Sequence, residues 1–249
     1  MADRGRSRAS VRTAVVWDVL LDALATRAAD TDLLAVLDLG GGTGGFAVPL
    51  AELGHSVTVV DPSPDSLAAL ERRAAETGTE HLVRGVQGDA TDVVELIGAG
   101  SVDLVLCHSV LEVVDDPSDA LSAVAAVLRP GGLVSLLAAN RVAAVVARVA
   151  AGRLSQARHL LADPQGSAGD GDSLARRFTL PQLHGLLAEA DLGVRSSHGI
   201  RIFADAAPAA LLDVDPQAVA DLVALERAAA DDPTYIAVAT QLHVLAERR

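Results

Sequence analysis

Val36-Leu37-Asp38-Leu39-Gly40-Gly41-Gly42-Thr43-Gly44-Gly45 decides the fold of this 249-residue chain. An apolar run over 34–39 breaks into glycines and then into the helical pattern of 46–53. That order predicts a buried strand, a tight turn and the start of a helix. Glycines at such a junction let the backbone approach a ligand at the helix N-terminus, beyond the strand ends. Alone the segment is ambiguous, because Gly40-x-Gly42-x-x-Gly45 also satisfies the dinucleotide fingerprint.

Outward from the loop the alternation repeats. Further apolar strands are predicted at 57–60, 82–87, 102–107 and 133–138, the last after the turn Pro130-Gly131-Gly132. Helices separate them at 64–77, from Asp92, and at 117–128, with Gly54 closing one and Pro64 opening the next. Residues 141–180 interrupt the pattern with a helical stretch to about Leu161 and a loop at 163–173, predicted mobile and rich in Gly, Asp and Ser. A helix at 181–190, a strand at 194–203, a helix at 216–230 and a terminal strand at 235–246 complete seven strands. The expected fold class is α/β, a doubly wound and mostly parallel sheet. The expected organisation is a single domain over 1–249 with an N-terminal helical arm at 1–30, carrying an apolar stripe, and a helix–loop insertion at 141–180 after the fifth strand.

Four further features separate a methyl donor from NAD or FAD. Asp38 precedes the glycines by two residues, placed for the ammonium of a methionine, directly or through water. Asp61 ends the second strand, placed for ribose hydroxyls, although an acid there also serves NAD. Gly88-Asp89-Ala90-Thr91-Asp92 follows the third strand, where methyltransferases hold adenine with one acid and backbone amides. Leu128-Arg129-Pro130-Gly131-Gly132 leads into the fifth strand, a combination common in that superfamily and uncommon in dehydrogenases. Taken singly, Asp89 or Asp92 reads equally well as a helix cap. All four, in order on one sheet, resemble the class I S-adenosylmethionine-dependent methyltransferases with their Rossmann-like sheet.

At Cys107-His108-Ser109-Val110-Leu111-Glu112-Val113-Val114-Asp115-Asp116-Pro117 the resemblance narrows to the bacterial tRNA 5-carboxymethoxyuridine methyltransferases. It extends over nearly the whole length, through Arg12 to Trp17, Gly54-His55, Asn140, Gly199-Ile200-Arg201-Ile202-Phe203, Tyr235-Ile236 and His243-Val244. The resemblance implies S-adenosyl-L-methionine as the methyl donor. It implies that Arg12 meets the donor carboxylate and that Gly40, Gly41 and Gly42 line the methionine. Asp61 would take the ribose, Asp89, Ala90 and Thr91 the adenine, and His108 the pocket floor. Departures concern the acceptor: residues 137–140 are Leu-Ala-Ala-Asn, the insertion loop Asp170-Gly171-Asp172-Ser173 is acidic, and Thr240 stands where an arginine is expected.

Composition bounds the rest. All 20 basic residues are arginine and Asn140 is the sole asparagine, the mark of a GC-rich genome. A net charge of −13 opposes general nucleic-acid binding. Residues 1–12 and 141–177 are each net basic by +3 and read as solvated surface. A tRNA acceptor requires instead that Arg141, Arg148, Arg153 and Arg177 cluster at the pocket mouth with the N-terminal arm. One cysteine, no signal-peptide pattern and no long apolar run predict a cytoplasmic protein without a membrane span. No metal site is expected.

A carboxylate is already ionised at neutral pH and needs no general base, whereas an amine or phenol usually does. The sequence offers no dedicated base, and no catalytic residue is assigned. Asn140, Arg201 and Tyr235 are the candidate acceptor contacts, with Phe178 and Tyr235 the only stacking platforms. The expected acceptor is a carboxylate or other group on tRNA, which the resemblance implies is a modified wobble uridine, or on a small metabolite. A donor-binding protein without turnover is the alternative.

Overall fold

The computed structural model describes residues 2–28, 33–169, 172–208, 210 and 215–249, with side chains of the first helix from Val11 to Thr26. Asp170 and Gly171 of the acidic loop, and the side chains of Arg4, Arg6 and Arg8, lie outside the described residues. The chain divides into two compact units. One holds 25–137, 183–196 and 244–249; the other holds 1–24, 138–182 and 197–243.

Strands β1 (Ala35–Leu39), β2 (Ser56–Asp61), β3 (Val83–Gln87), β4 (Val102–His108), β5 (Leu128–Ala139), β6 (Leu192–Ile200) and β7 (Gln241–Arg248) form a seven-stranded sheet in the order β3-β2-β1-β4-β5-β7-β6. β1 pairs in parallel with β2 and β4, β2 with β3, and β4 with β5. The sheet is mostly parallel and flanked by helices, as expected. Its inner strands are apolar on both faces, with Leu37, Val59, Val60, Val105, Leu106 and Cys107 fully buried.

In the first unit α2 (Ala47–Glu52), α3 (Pro64–Thr77), α4 (Val93–Ile97) and α5 (Pro117–Val127) connect successive strands. Local chemistry fixes where they begin. Ser63 accepts a hydrogen bond from Ser66 N at 3.2 Å ahead of Pro64, and Asp116 accepts one from Ser118 N at 2.7 Å ahead of Pro117. The Pro130-Gly131-Gly132 turn lies inside β5, where Gly131 has φ 73° and the β4–β5 register shifts.

In the other unit α1 (Ala2–Ala28) buries Val11, Val15, Val16, Leu20 and Leu24. The helical part of the insertion is two helices, α6 (Arg141–Ala150) and α7 (Leu154–Ala162), parted at Gly152 with φ 70°. α8 (Leu180–Glu189), most of which belongs to the first unit, comes next in the chain, and α9 (Pro216–Ala229) and α10 (Pro233–Ile236) follow. Two sequence expectations are corrected here. Tyr235 lies in α10, capped by Asp232, so the terminal strand starts at Gln241. β6 stops at Ile200 because Arg201 adopts φ 59° and turns the chain out of the sheet. No helix among the described residues is long and apolar enough to cross a membrane.

Candidate functional site

The parallel strands put Leu39, Asp61, Gln87 and His108 at their C-terminal ends. After β3 the chain returns to the far side of β1, so the loops leaving β1 and β4 diverge and open a crevice. Gly40 N donates to Val60 O at 2.8 Å and Gly42 N to Asp61 Oδ2 at 2.9 Å, which ties the glycine loop to β2. Gly41 has a side-chain reason to be glycine: a Cβ there would lie 2.5 Å from the Asp38 carboxylate.

Asp38 is the unusual group. It is 3% exposed, yet its Oδ2 has no hydrogen-bond partner among the described residues. Burial raises its carboxyl from 3.8 to about 7, a hydrogen bond from the Ala47 backbone opposes this, and the charge of Asp61 adds to it. A buried carboxylate with one oxygen unpartnered is costly in a folded protein unless something else satisfies it.

A cleft of about 360 Å³ is formed by the loops after β1, β2, β3 and β4; Gly40, Asp61, Asp89, Ala90 and Thr91 line it, whereas Asp38, Gly41, Gly42 and His108 are not among its lining residues. Asp61 is held rigidly, because Ser63 N donates to its Oδ1 at 2.9 Å as Gly42 N does to Oδ2. Asp89 and Asp92 form a capping box: Asp89 accepts from Ala90 N at 2.6 Å and Asp92 accepts from Asp89 N at 3.1 Å. The capping role is therefore real, while Asp89, Ala90 and Thr91 also line the cleft. The β4 loop contributes Ser109, Val110, Val113 and Val114, none of them singled out from sequence as site residues. The available signal was position, at the end of the strand beside β1. Ser109 sits at φ 59°, a strained conformation for a non-glycine residue. Four aspartates (Asp61, Asp89, Asp115 and Asp116) line the cleft, with no arginine or histidine among the described lining residues.

His108 is half-buried below the strand end. Its Nε2 lies 2.8 Å from Ser135 Oγ and Phe46 packs edge-on at 4.7 Å. Burial lowers its pKa to about 3, so the ring is neutral at physiological pH.

The other unit holds the remaining sequence candidates. Asn140 is corrected from an acceptor contact to a structural group: it caps α6 through Val142 N at 2.9 Å and donates to Ala237 O and Ala239 O at 3.1 and 2.8 Å. Its NH₂ has no proton left for a ligand. Arg201 places one nitrogen, Nη2, 2.7 Å from both oxygens of Asp205, and Arg12 approaches the same carboxylate at 3.7 Å. Tyr235 is 42% exposed and packs edge-on against Phe203 at 5.7 Å. Phe178 is buried and bridges to Asn140 through the backbone, so it is no platform.

The insertion arginines are used internally. Arg177, buried, pairs with both oxygens of Asp172 at 2.5 and 2.8 Å, and Arg148 reaches Asp172 at 3.6 Å. Arg141 donates to the Asp163 and Pro164 carbonyls at 3.1 and 3.3 Å. Three of the four arginines a tRNA acceptor requires thus brace the loop. No group of three or more His, Cys, Asp or Glu among the described residues is placed to hold a metal ion.

Comparison with known proteins accords with this geometry. Residues 37–136 match the family model described as a methyltransferase domain. A crystal structure of geranyl diphosphate C-methyltransferase from Streptomyces coelicolor A3(2), in complex with Mg2+, geranyl diphosphate and S-adenosyl-L-homocysteine, aligns with a TM-score of 0.57 at 15% identity, over 87% of this chain and 72% of that one. The fold is that of a class I methyltransferase. Within this class I fold, two curated relatives match more closely in sequence. The tRNA 5-carboxymethoxyuridine methyltransferase of Escherichia coli (strain K12) is 36% identical over 136 residues, 55% of this chain and 51% of that protein. The ubiquinone biosynthesis O-methyltransferase of Caulobacter sp. (strain K31) is 38% identical over 108 residues, 43% of this chain and 42% of that protein. The chain spans about half the length of these curated relatives. Similarity to the first is thus shorter than the nearly full-length resemblance read from its motifs.

Proposed function

We propose that this chain is an S-adenosylmethionine-dependent methyltransferase whose acceptor is a carboxylate. The observation that carries the donor half is Asp38, a buried carboxylate with one oxygen unpartnered among the described residues, against which Gly41 leaves no room for a Cβ. Asp38 would hold the ammonium and Gly40, Gly41 and Gly42 the methionine chain. Asp61 would accept from the ribose hydroxyls, and Asp89 with the Ala90–Thr91 backbone would hold the adenine. The resemblance adds Arg12 for the donor carboxylate and His108 for the floor. The glycine loop taken alone also fits a dinucleotide, and the charge of the cleft adds to the sequence features that weigh against one: a pyrophosphate would face four aspartates and no cation among the described lining residues.

When bound, S-adenosylmethionine supplies a methyl group on a positively charged sulfur. The residues of this chain then have little proton chemistry to do. A carboxylate acceptor is ionised at pH 7, and His108 is neutral, desolvated and tied to Ser135. Catalysis rests on holding the acceptor oxygen in line and excluding water. We read the chain as a single methyltransferase domain with 141–180 as an insertion, acting in the cytoplasm with its one cysteine, Cys107, buried and reduced.

The name of the Escherichia coli relative supports a carboxylate carried on tRNA. One observation favours a small carboxylic acid as a second reading: Arg148 and Arg177 are spent on Asp172 and Arg141 on carbonyls, which leaves little free charge for phosphates. Mass spectrometry of tRNA nucleosides and of small acids, from cells with and without the gene, decides between them. The expected result is one species that lacks a single methyl group in the deleted strain. Tight donor binding with no methylated product in either pool would identify a donor-binding protein instead, and no donor binding at all would end the proposal.

A further inference from the structure

α6 is an amphipathic helix laid down the wrong way round. Val142, Val146 and Val149 recur at spacings of four and three residues, so they share one face. That face meets solvent: the three valines are 40%, 56% and 51% exposed. The charged side is the one turned inward. Arg141 reaches the carbonyls of Asp163 and Pro164, and Arg148, with 22% of its side chain in solvent, lies 3.6 Å from Asp172. No residue of α6 is buried. A helix whose apolar stripe served its own core would be turned the other way.

α7 packs against α6 and adds to the same surface. Leu154 and Leu161, two turns apart, are 63% and 68% exposed. Five of the 14 exposed large apolar side chains among the described residues thus fall within 142–161. Single exposed apolar residues are ordinary, whereas a concentration of them on one helix pair marks a contact surface. Charge identifies what it contacts. Residues 141–162 hold four arginines and no acid, in a chain of net charge −13. Arg153 and Arg158 are exposed and make no ion pair among the described residues. A second copy docked face to face would bring only like charges together. RNA phosphates would meet two free arginines amid valines and leucines, too little charge among the wrong neighbours. A bilayer interface takes both kinds of group: apolar side chains enter the acyl boundary while guanidinium groups stay among the phosphates.

We propose that the exposed side of α6 and α7 seats this protein on an anionic phospholipid surface. Val142, Val146, Val149, Leu154 and Leu161 enter the interface, and Arg153 and Arg158 pair with headgroup phosphates. A helix face is convex, and a lipid interface receives it without a matching groove. Apolar insertion and charge act together, each weak alone, so attachment is reversible and falls with salt. The acidic remainder of the chain is repelled by the same lipid, which confines contact to this face. None of these residues is assigned to the methyl donor, so the lipid seat and the donor site are independent.

Flotation of the full chain with vesicles tests this, comparing an equal mixture of phosphatidylglycerol and phosphatidylcholine with phosphatidylcholine alone. The unmodified protein is expected to float with the anionic vesicles at low salt and to be released as salt rises. Binding to the neutral vesicles is expected to be about 25-fold weaker, roughly fivefold for each free arginine. R153Q and R158Q are each expected to weaken anionic-vesicle binding about fivefold. V146D/V149D is expected to abolish it with the melting temperature unchanged, because both side chains are more than half exposed. L53D, at a leucine 54% exposed in the first unit, is expected to change nothing. Binding of S-adenosylhomocysteine, measured on each preparation, reports the donor site separately and is expected to be equal in all of them. No flotation of the unmodified protein, or flotation that V146D/V149D leaves intact, would overturn the proposal. A dimer seen by sedimentation equilibrium and dissolved by V146D/V149D would overturn it in favour of a second copy. Retention of tRNA that the same variant abolishes would overturn it in favour of RNA.

Discussion

Asp38 carries its carboxyl where water does not reach, and that has a measurable sign. A group raised from 3.8 to about 7 stabilises the fold as the acid. The contribution is complete below about pH 4 and is lost as pH climbs through 7. Asp38→Asn should flatten the fall in melting temperature over that window and stabilise the ligand-free protein at pH 8, by on the order of 3 kcal/mol. It should also remove donor binding. A variant with the original slope would contradict this. Donor affinity of the unmodified protein should drop as pH is lowered below 7, by up to about tenfold per unit, measured by calorimetry. Gly41→Ala, with its Cβ 2.5 Å from that carboxylate, should lose donor binding while the sheet stays folded, as judged by circular dichroism. The positions of Asp38 inside β1 and Asp61 at the end of β2 were legible because apolar runs mark both strands. Asn140 misled: its rarity marks a requirement, but the requirement is a cap and two buried carbonyls.

Between elements, the insertion shows why composition is a poor guide to order. Gly, Asp and Ser over 163–173 predict a mobile loop. Its described residues are instead tied down: Ser167 N donates to Asp163 at 2.7 Å, Ala168 N to Asp172 at 2.8 Å, and Arg177 closes the loop onto Asp172. These bonds span only four or five residues, so the aspartates counted as signs of mobility are the groups that hold the loop through local backbone bonds. Hydrogen bonds from Arg177 hold the Asp172 carboxyl well below the usual carboxylate range. Asp172→Ala leaves the Arg177 guanidinium, 6% exposed, without its counter-charge and with only the Gly166 carbonyl to accept from it, and should cost about 3 kcal/mol. Hydrogen exchange should accelerate across 163–178 and little elsewhere. Uniform acceleration, or none, would show that the ion pair does not hold this loop.

Across the whole molecule, the alternation of apolar runs revealed seven strands and their class, but not where the last two end. Tyr235-Ile236 continues an apolar pattern into β7, and only the Asp232 cap and Pro233 mark the intervening turn of helix. Strand order is likewise invisible to periodicity. It is legible through the glycine loop, whose ligand-binding role requires a crevice beside β1. A cleft with four aspartates should bind S-adenosylhomocysteine and reject NAD+. At a hundredfold excess over its dissociation constant a ligand adds about 2.7 kcal/mol of stability. S-adenosylhomocysteine should therefore raise the melting temperature, while NAD+ at equal concentration leaves it unmoved. Those aspartates also bear on turnover. Giving up a methyl group turns a sulfonium into a neutral thioether, so the spent molecule leaves with one positive charge fewer than it brought. An acid-lined cleft loosens its hold at that moment, and the preference for fresh over spent donor should narrow as salt screens the wall. Clearance of product would then be driven by the reaction itself.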